Sequence, residues 1–350
     1  MGSSQKRLFA LDAARGVAAF LVMLSHVGAL SWVPWDSKLP TWAERSFFML
    51  GSPSVDLFFV LSGFVITRTV LATPLKLKNY IVWRLIRLLP VAWFAVALGW
   101  MVKTLISTSS PADSALWQHL SLNITTLDWI GFISLLYPLN LDFAKINIAL
   151  WSLQPEMLFV FIFPMLLLIT QRSPWLFFIL FWTISFVLTI ATQSFPFLYL
   201  PLFFLGMIGA IRPPKILHKY KPYKLVIAGL VWILITNIWV EYNMQDEFGF
   251  VKRYLDMWGA FIVIFALSQW KKEPHSTLIF LGKISYSLYV IHLPILMLSA
   301  WLAHNWFGLN YWYGGFAGIP FAIICAHLIN THIEQKFIYL SQRYKQTVQK

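Results

Sequence analysis

The chain has 350 residues, of which 59% are hydrophobic, 17% aromatic and only 12% charged, with a mean hydropathy of +0.68. That is well past the roughly half-apolar balance of soluble domains, so the chain cannot hide its apolar surface within itself. The formal net charge of +13 would suit nucleic acid only if the basic residues gathered on one soluble face. They fall instead between apolar segments, a pattern that favours membrane lipids and no nucleic-acid partner.

In chain order, apolar windows bounded by Pro, Gly and charge predict spans near 8–30, 47–67, 88–106, 148–170, 175–192, 196–212, 225–240, 254–270, 278–302 and 312–332, each near the roughly 20 residues that cross a bilayer. Lys6 and Arg7 ahead of the first run imitate a signal peptide, but Asp12 and Arg15 inside it would weaken export. The first run is therefore read as a retained helix. With the N-terminus inside, most Lys and Arg residues fall in cytoplasmic segments, whereas Lys252 and Arg253 fall outside. The positive-inside rule then puts both termini in the cytoplasm.

Residues 127–139 are the ambiguous stretch, a re-entrant or surface segment, because an eleventh span there would reverse everything downstream. The single cysteine, Cys325, permits no intramolecular disulfide. Without a repeat or a soluble insertion, the expectation is an all-α polytopic membrane helix bundle. It has about ten transmembrane helices, forming a single domain over 1–350 with a short cytoplasmic tail at 335–350.

An ionisable side chain within a span costs roughly 2.5 to 3.5 kcal/mol on insertion scales, which makes each one a functional hypothesis. In the first span Asp12, Arg15 and His26 fall within an arc of about 60° at 100° per residue. His26 is either a histidine satisfied inside the bundle or a working group, and Asp12 and Arg15 either an internal ion pair or part of the same polar stripe. Asp56 opens a run in which Ser62-Gly63 offers a small surface for close helix approach. Arg84 and Arg87, at i,i+3 near the N-terminal end of the third span, either clamp a phosphate or anchor the helix at the cytoplasmic face. Glu156, Tyr286, His292 and Glu334 add polar groups to three later spans, and together the set suggests a polar cavity. The histidines lack ligand spacing, so no metal is expected.

Five motifs in order make the chain resemble the acyltransferase-3 family of multi-pass membrane acyltransferases. They are Arg15 with His26 after Leu11-Asp-Ala-Ala-Arg-Gly, Val55-Asp-Leu-Phe-Phe-Val-Leu-Ser-Gly-Phe64, Arg84 with Arg87, Trp151-Ser152-Leu153 with Glu156, and Ser285 to Pro294. Gln154-Pro155, Met157 and Gln335-Lys336 depart from the family pattern.

The resemblance implies transfer of an acyl group, acetyl above all, from acetyl-CoA or another acyl-CoA. The acceptor would be a hydroxyl of a cell-surface glycan or lipid-linked sugar, in the bacterial inner membrane. His26 is expected as general base and Arg84 and Arg87 as ligands of the CoA phosphates. Arg15 is expected to steady the oxyanion or another phosphate, and the remaining polar residues to serve substrate or structure. The rival reading is a transporter or flippase of a glycan or lipid intermediate, which predicts broken helices in paired halves. No such symmetry is visible.

Overall fold

Inside a bilayer no water satisfies backbone N–H and C=O groups, so an apolar run of spanning length becomes a helix that bonds to itself. The computed structural model describes residues 8–30, 41–106, 122–136, 143–170, 173–192, 195–243 and 249–348, and among them every regular element is helical. The α-helices are α1 (Phe9–Leu30), α2 (Thr41–Ala72), α3 (Leu77–Ile106), α4 (Thr126–Ser134), α5 (Leu153–Thr170), α6 (Pro174–Thr192), α7 (Phe195–Ile211), α8 (Pro222–Asn243), α9 (Gly249–Ser268), α10 (Ser276–Phe307), α11 (Tyr311–Ile329) and α12 (Gln335–Thr347). Short 3-10 turns cover Phe143–Lys145, Ile148–Ser152 and Lys215–Lys219, and a π-helical turn, Asn330–Glu334, joins α11 to α12.

Eight helical segments among the described residues are long and apolar enough to cross a membrane: Phe9–Gly28, Met49–Ala72, Leu77–Ile106, Ile148–Thr170, Pro174–Thr192, Pro222–Trp239, Ser276–Phe307 and Tyr311–Thr347. The other two predicted spans are also helices. One, α7, is shorter, and the other, α9, carries Lys252, Arg253 and Asp256. The chain is an all-α, multi-pass integral membrane protein.

The ambiguous stretch contains only the nine-residue α4, about 13 Å long at 1.5 Å per residue and too short to cross; residues 137–139 lie outside the described residues. The expected tail is helical through Thr347, as α12.

Two compact units divide the chain. The first comprises Met1–Ala18, Pro53–Leu77 and Leu158–Gly282. Its α2 and α7 meet backbone to backbone. A Cβ on Gly63 would strike the Phe203 carbonyl, and one on Gly206 would strike that of Val60, the small-residue packing that membrane helices use in place of a hydrophobic drive. Around this crossing Phe203 stacks on Phe159 and meets Phe59 at a tilt, with ring centroids 4.7 and 4.8 Å away.

The second unit comprises Ala19–Ser52, Lys78–Met157 and Lys283–Lys350. Within α10, Pro294 has no N–H to give the carbonyl four residues earlier. That carbonyl, on Val290, instead accepts from Asn147 Nδ2 at 2.8 Å. Asn147 also caps the 3-10 turn through its Oδ1, which accepts from the Ala149 N–H. The proline's missing bond thus fastens the turn bearing Trp151 and Ser152 beside the segment of α10 that carries His292.

Candidate active site

His26 projects from α1 and His292 from α10, both within the second unit. His292 is fully buried and His26 partly so. Their rings lie 5.0 Å apart between centroids, with His26 Nδ1 3.0 Å from His292 Nε2. The backbone decides which nitrogens carry protons. His26 Nδ1 lies 3.0 Å from the Val22 carbonyl, and His292 Nδ1 lies 3.1 Å from that of Leu288. A carbonyl only accepts, so each Nδ1 bears the hydrogen. A neutral His292 then offers the Nε2 lone pair to His26 Nδ1–H. This arrangement leaves the lone pair on His26 Nε2, the nitrogen that a general base requires.

The same part of α10 holds further polar groups. Tyr289 O–H donates to Ser152 Oγ at 2.7 Å, and its ring stands 6.1 Å from that of His292. Tyr286 O–H donates to the Leu88 carbonyl at 2.7 Å and sits within electrostatic range of Glu156, Glu334, Arg84 and Arg87. Ser287 O–H donates to Glu334 at 2.6 Å, and Asn330 Nδ2 donates to the same oxygen at 2.9 Å. Glu334 therefore sits, buried, at the end of the π-helical turn, whose wider winding is a recurrent feature of functional helices.

Arg84 is buried, and its Nη2 donates to Glu156 Oε1 at 2.7 Å. The two arginines expected side by side at a cytoplasmic rim are thus unequal: Arg84 is drawn inward by a carboxylate 72 positions later, whereas Arg87 is half-buried. Nε of Arg84 is buried without a hydrogen-bond partner among the described residues.

In the first unit Arg15 pairs with Asp12 at 3.5 Å across one helical turn. Asp56 is wholly buried and receives Arg253 Nη1 at 3.2 and 3.3 Å. The sequence reading counted Arg253 on the outer side, just ahead of the span at 254–270; it belongs to α9 and answers the buried charge on α2, because an unpaired carboxylate there would be costly. One turn further on, buried Asp256 accepts from Thr236 and from Asn237 Nδ2, with Lys252 3.8 Å away. Ser62 is half-buried on α2, beside the Gly63 crossing.

A family model described as an acyltransferase domain matches residues 8–331. The chain belongs to the acyltransferase-3 family. This acyltransferase-3 chain is 24% identical over 378 residues to the "Putative O-acetyltransferase" of Staphylococcus aureus strain COL, covering 93% of the chain and 56% of the relative. The equally named protein of strain MRSA252 matches to the same degree. The chain thus spans little more than half the length of these curated relatives. It is also 24% identical over 332 residues to "Nodulation protein 10" of Rhizobium leguminosarum bv. viciae, covering 84% of the chain and 85% of the relative. No solved structure matches it at comparable significance.

Among the site residues expected from sequence, the acyltransferase-3 fold joins His26 to His292 and Arg84 to Glu156, and it brings Tyr286 within electrostatic range of Glu156, Glu334, Arg84 and Arg87. Asn147, Tyr289, Asn330 and Arg253 were not singled out as site residues, although Arg253 carries a usable signal. It stands three residues before Asp256 at the head of an apolar run, a spacing that places both on one helical face.

Proposed function

We propose that this protein transfers an acyl group, acetyl above all, from acyl-CoA to a hydroxyl of a cell-surface glycan or lipid-linked sugar, with His26 as general base. The observation that carries the reading is the His26–His292 hydrogen bond, which leaves a basic nitrogen on a partly exposed imidazole. The named activity of the staphylococcal relatives supports acetyl transfer, and their bacterial source, with the spanning helices, supports the bacterial inner membrane.

In this mechanism His26 Nε2 takes the proton from the acceptor hydroxyl as its oxygen attacks the thioester carbonyl. A carbon–oxygen bond forms, the carbon–sulfur bond breaks, and the imidazolium returns its proton to the departing CoA sulfur. Such proton transfer contributes typically 10² to 10⁴-fold. Arg84 and Arg87 hold donor phosphates. Glu156 occupies one edge of the Arg84 guanidinium, and the open Nε supports a further acceptor there. Arg15 stands eleven positions before His26, about 16 Å along the helix axis, which suits another donor phosphate better than the oxyanion.

The test is acyl release from radiolabelled acetyl-CoA by purified protein in nanodiscs, with and without a glycan extract. Turnover that disappears in His26→Ala, with CoA still bound, supports the reading. Absence of donor binding by well-folded wild type overturns it.

A further inference from the structure

The matched family region stops at residue 331, yet α12 beyond it is packed against the start of α3. Tyr344 O–H donates to Asn79 Oδ1 at 3.2 Å, and Lys345 Nζ stands 5.3 Å above the centroid of Trp83. The guanidinium of Arg84 lies 5.8 Å from the same centroid. Two cations therefore lie within 6 Å of the centre of one buried indole. Glu156 answers Arg84, but Lys345 meets no carboxylate among the described residues. The 13 residues of α12 contain no acid at all. Arg84 Nε adds a buried donor with no hydrogen-bond partner among the described residues.

We propose that α12 completes the donor site, with Lys345 binding a phosphate of acyl-CoA in the neighbourhood of Arg84 and Trp83. This rests on the acyl-CoA reading above. An ammonium is a compact, rotatable donor suited to phosphate. An aromatic face beneath it adds attraction without neutralising it. Lys336 and Arg343 on the same helix are exposed, whereas Lys345 is partly buried over the indole. That difference separates a ligand-binding position from general attraction to anionic lipid headgroups. The anchorage follows from the π-helical turn, where Glu334 is held by Ser287 and Asn330. It fixes the point at which α12 leaves α11.

The experiment measures binding of CoA and of 3′-dephospho-CoA to the full chain in nanodiscs of zwitterionic lipid and of lipid containing phosphatidylglycerol. Wild type is compared with Lys345→Ala, Lys345→Arg and Arg343→Ala. Lys345→Ala is expected to weaken CoA binding about tenfold, in line with one charge-assisted hydrogen bond. Lys345→Arg is expected to restore most of it and Arg343→Ala to change nothing. A loss of discrimination between the two nucleotides in Lys345→Ala would assign the contact to the 3′-phosphate, and equal weakening for both to the diphosphate. Either pattern supports the proposal. Unchanged CoA affinity in Lys345→Ala overturns it and leaves the acyl-CoA reading intact, as does a defect confined to the phosphatidylglycerol nanodiscs, which would make α12 a lipid anchor. Failure of wild type to bind CoA overturns both.

Discussion

His292 Nε2 lies 3.0 Å from His26 Nδ1, and because the Leu288 carbonyl occupies the other side of the His292 ring, the bond runs in one direction. His292 acts through His26 and is a positioning residue, so its removal differs in kind from loss of the base. His26→Ala is expected to lower kcat by 10² to 10⁴-fold. His292→Phe keeps an aromatic ring but offers no acceptor. It is expected to lower kcat by about tenfold, the value of one neutral hydrogen bond, with KM for the acyl donor unchanged. His292→Gln, which can present an oxygen, should recover part of that loss. Steady-state turnover in nanodiscs gives the split, and a His292→Phe effect on KM alone would remove the positioning role.

The Val290 carbonyl makes a separate, structural forecast. Asn147→Ala strips a donor from the buried Val290 oxygen, which Pro294 cannot serve. An unsatisfied buried acceptor costs about 1 to 3 kcal/mol, so thermal unfolding in detergent should shift down. Pro294→Ala supplies an N–H at the position four residues on, and the double variant is expected to lose less than Asn147→Ala alone. Strict additivity of the two single effects would show that proline and asparagine are not coupled.

Long apolar runs made the helices legible, since a bilayer leaves such runs one good backbone solution. The ionisable members of the site were legible for the same reason: His26, Arg84, Glu156, His292 and Glu334 stand out where charge is expensive. Their pairing was not. Nothing local ties Arg84 to Glu156 or Asp56 to Arg253, which are partners 72 and 197 positions apart. Neutral groups such as Asn147, Ser152 and Tyr289 cost less to insert and gave no comparable warning. Arg253 fell outside the expected span because a hydropathy window opens only after the charges at the head of α9, although the helix itself starts at Gly249.

The Asp56–Arg253 pair is testable on those terms. Asp56 has no exposed surface, and Arg253 retains only a fifth of its side-chain exposure. Removing one partner of a buried pair typically costs about 3 to 5 kcal/mol, whereas replacing both with apolar residues is often neutral. Arg253→Leu is therefore expected to lower the unfolding temperature markedly, and Asp56→Leu with Arg253→Leu to restore much of it. Wild-type stability in Arg253→Leu alone would mean that the pair contributes nothing.

Asp128, outside the spanning helices, sets a pH dependence with a definite sign. Burial pushes its carboxyl up, but the Thr125 N–H, the Lys145 ammonium and the Thr125 hydroxyl pull harder, so the group is held below its usual value of 3.8. A carboxyl depressed by folding stabilises the native state fully above its unfolded pKa, and the gain disappears as pH falls through the folded pKa. Asp128→Asn should thus be less stable than wild type at neutral pH, where the carboxylate accepts from Lys145 at 2.9 Å. The two curves should begin to approach each other as the pH drops below about 4, the region of the unfolded carboxyl, and meet only below the lower folded pKa. Thermal unfolding of both proteins across pH 3 to 7 reads the difference. A gap of constant size throughout would show that the Asn variant loses packing, not charge.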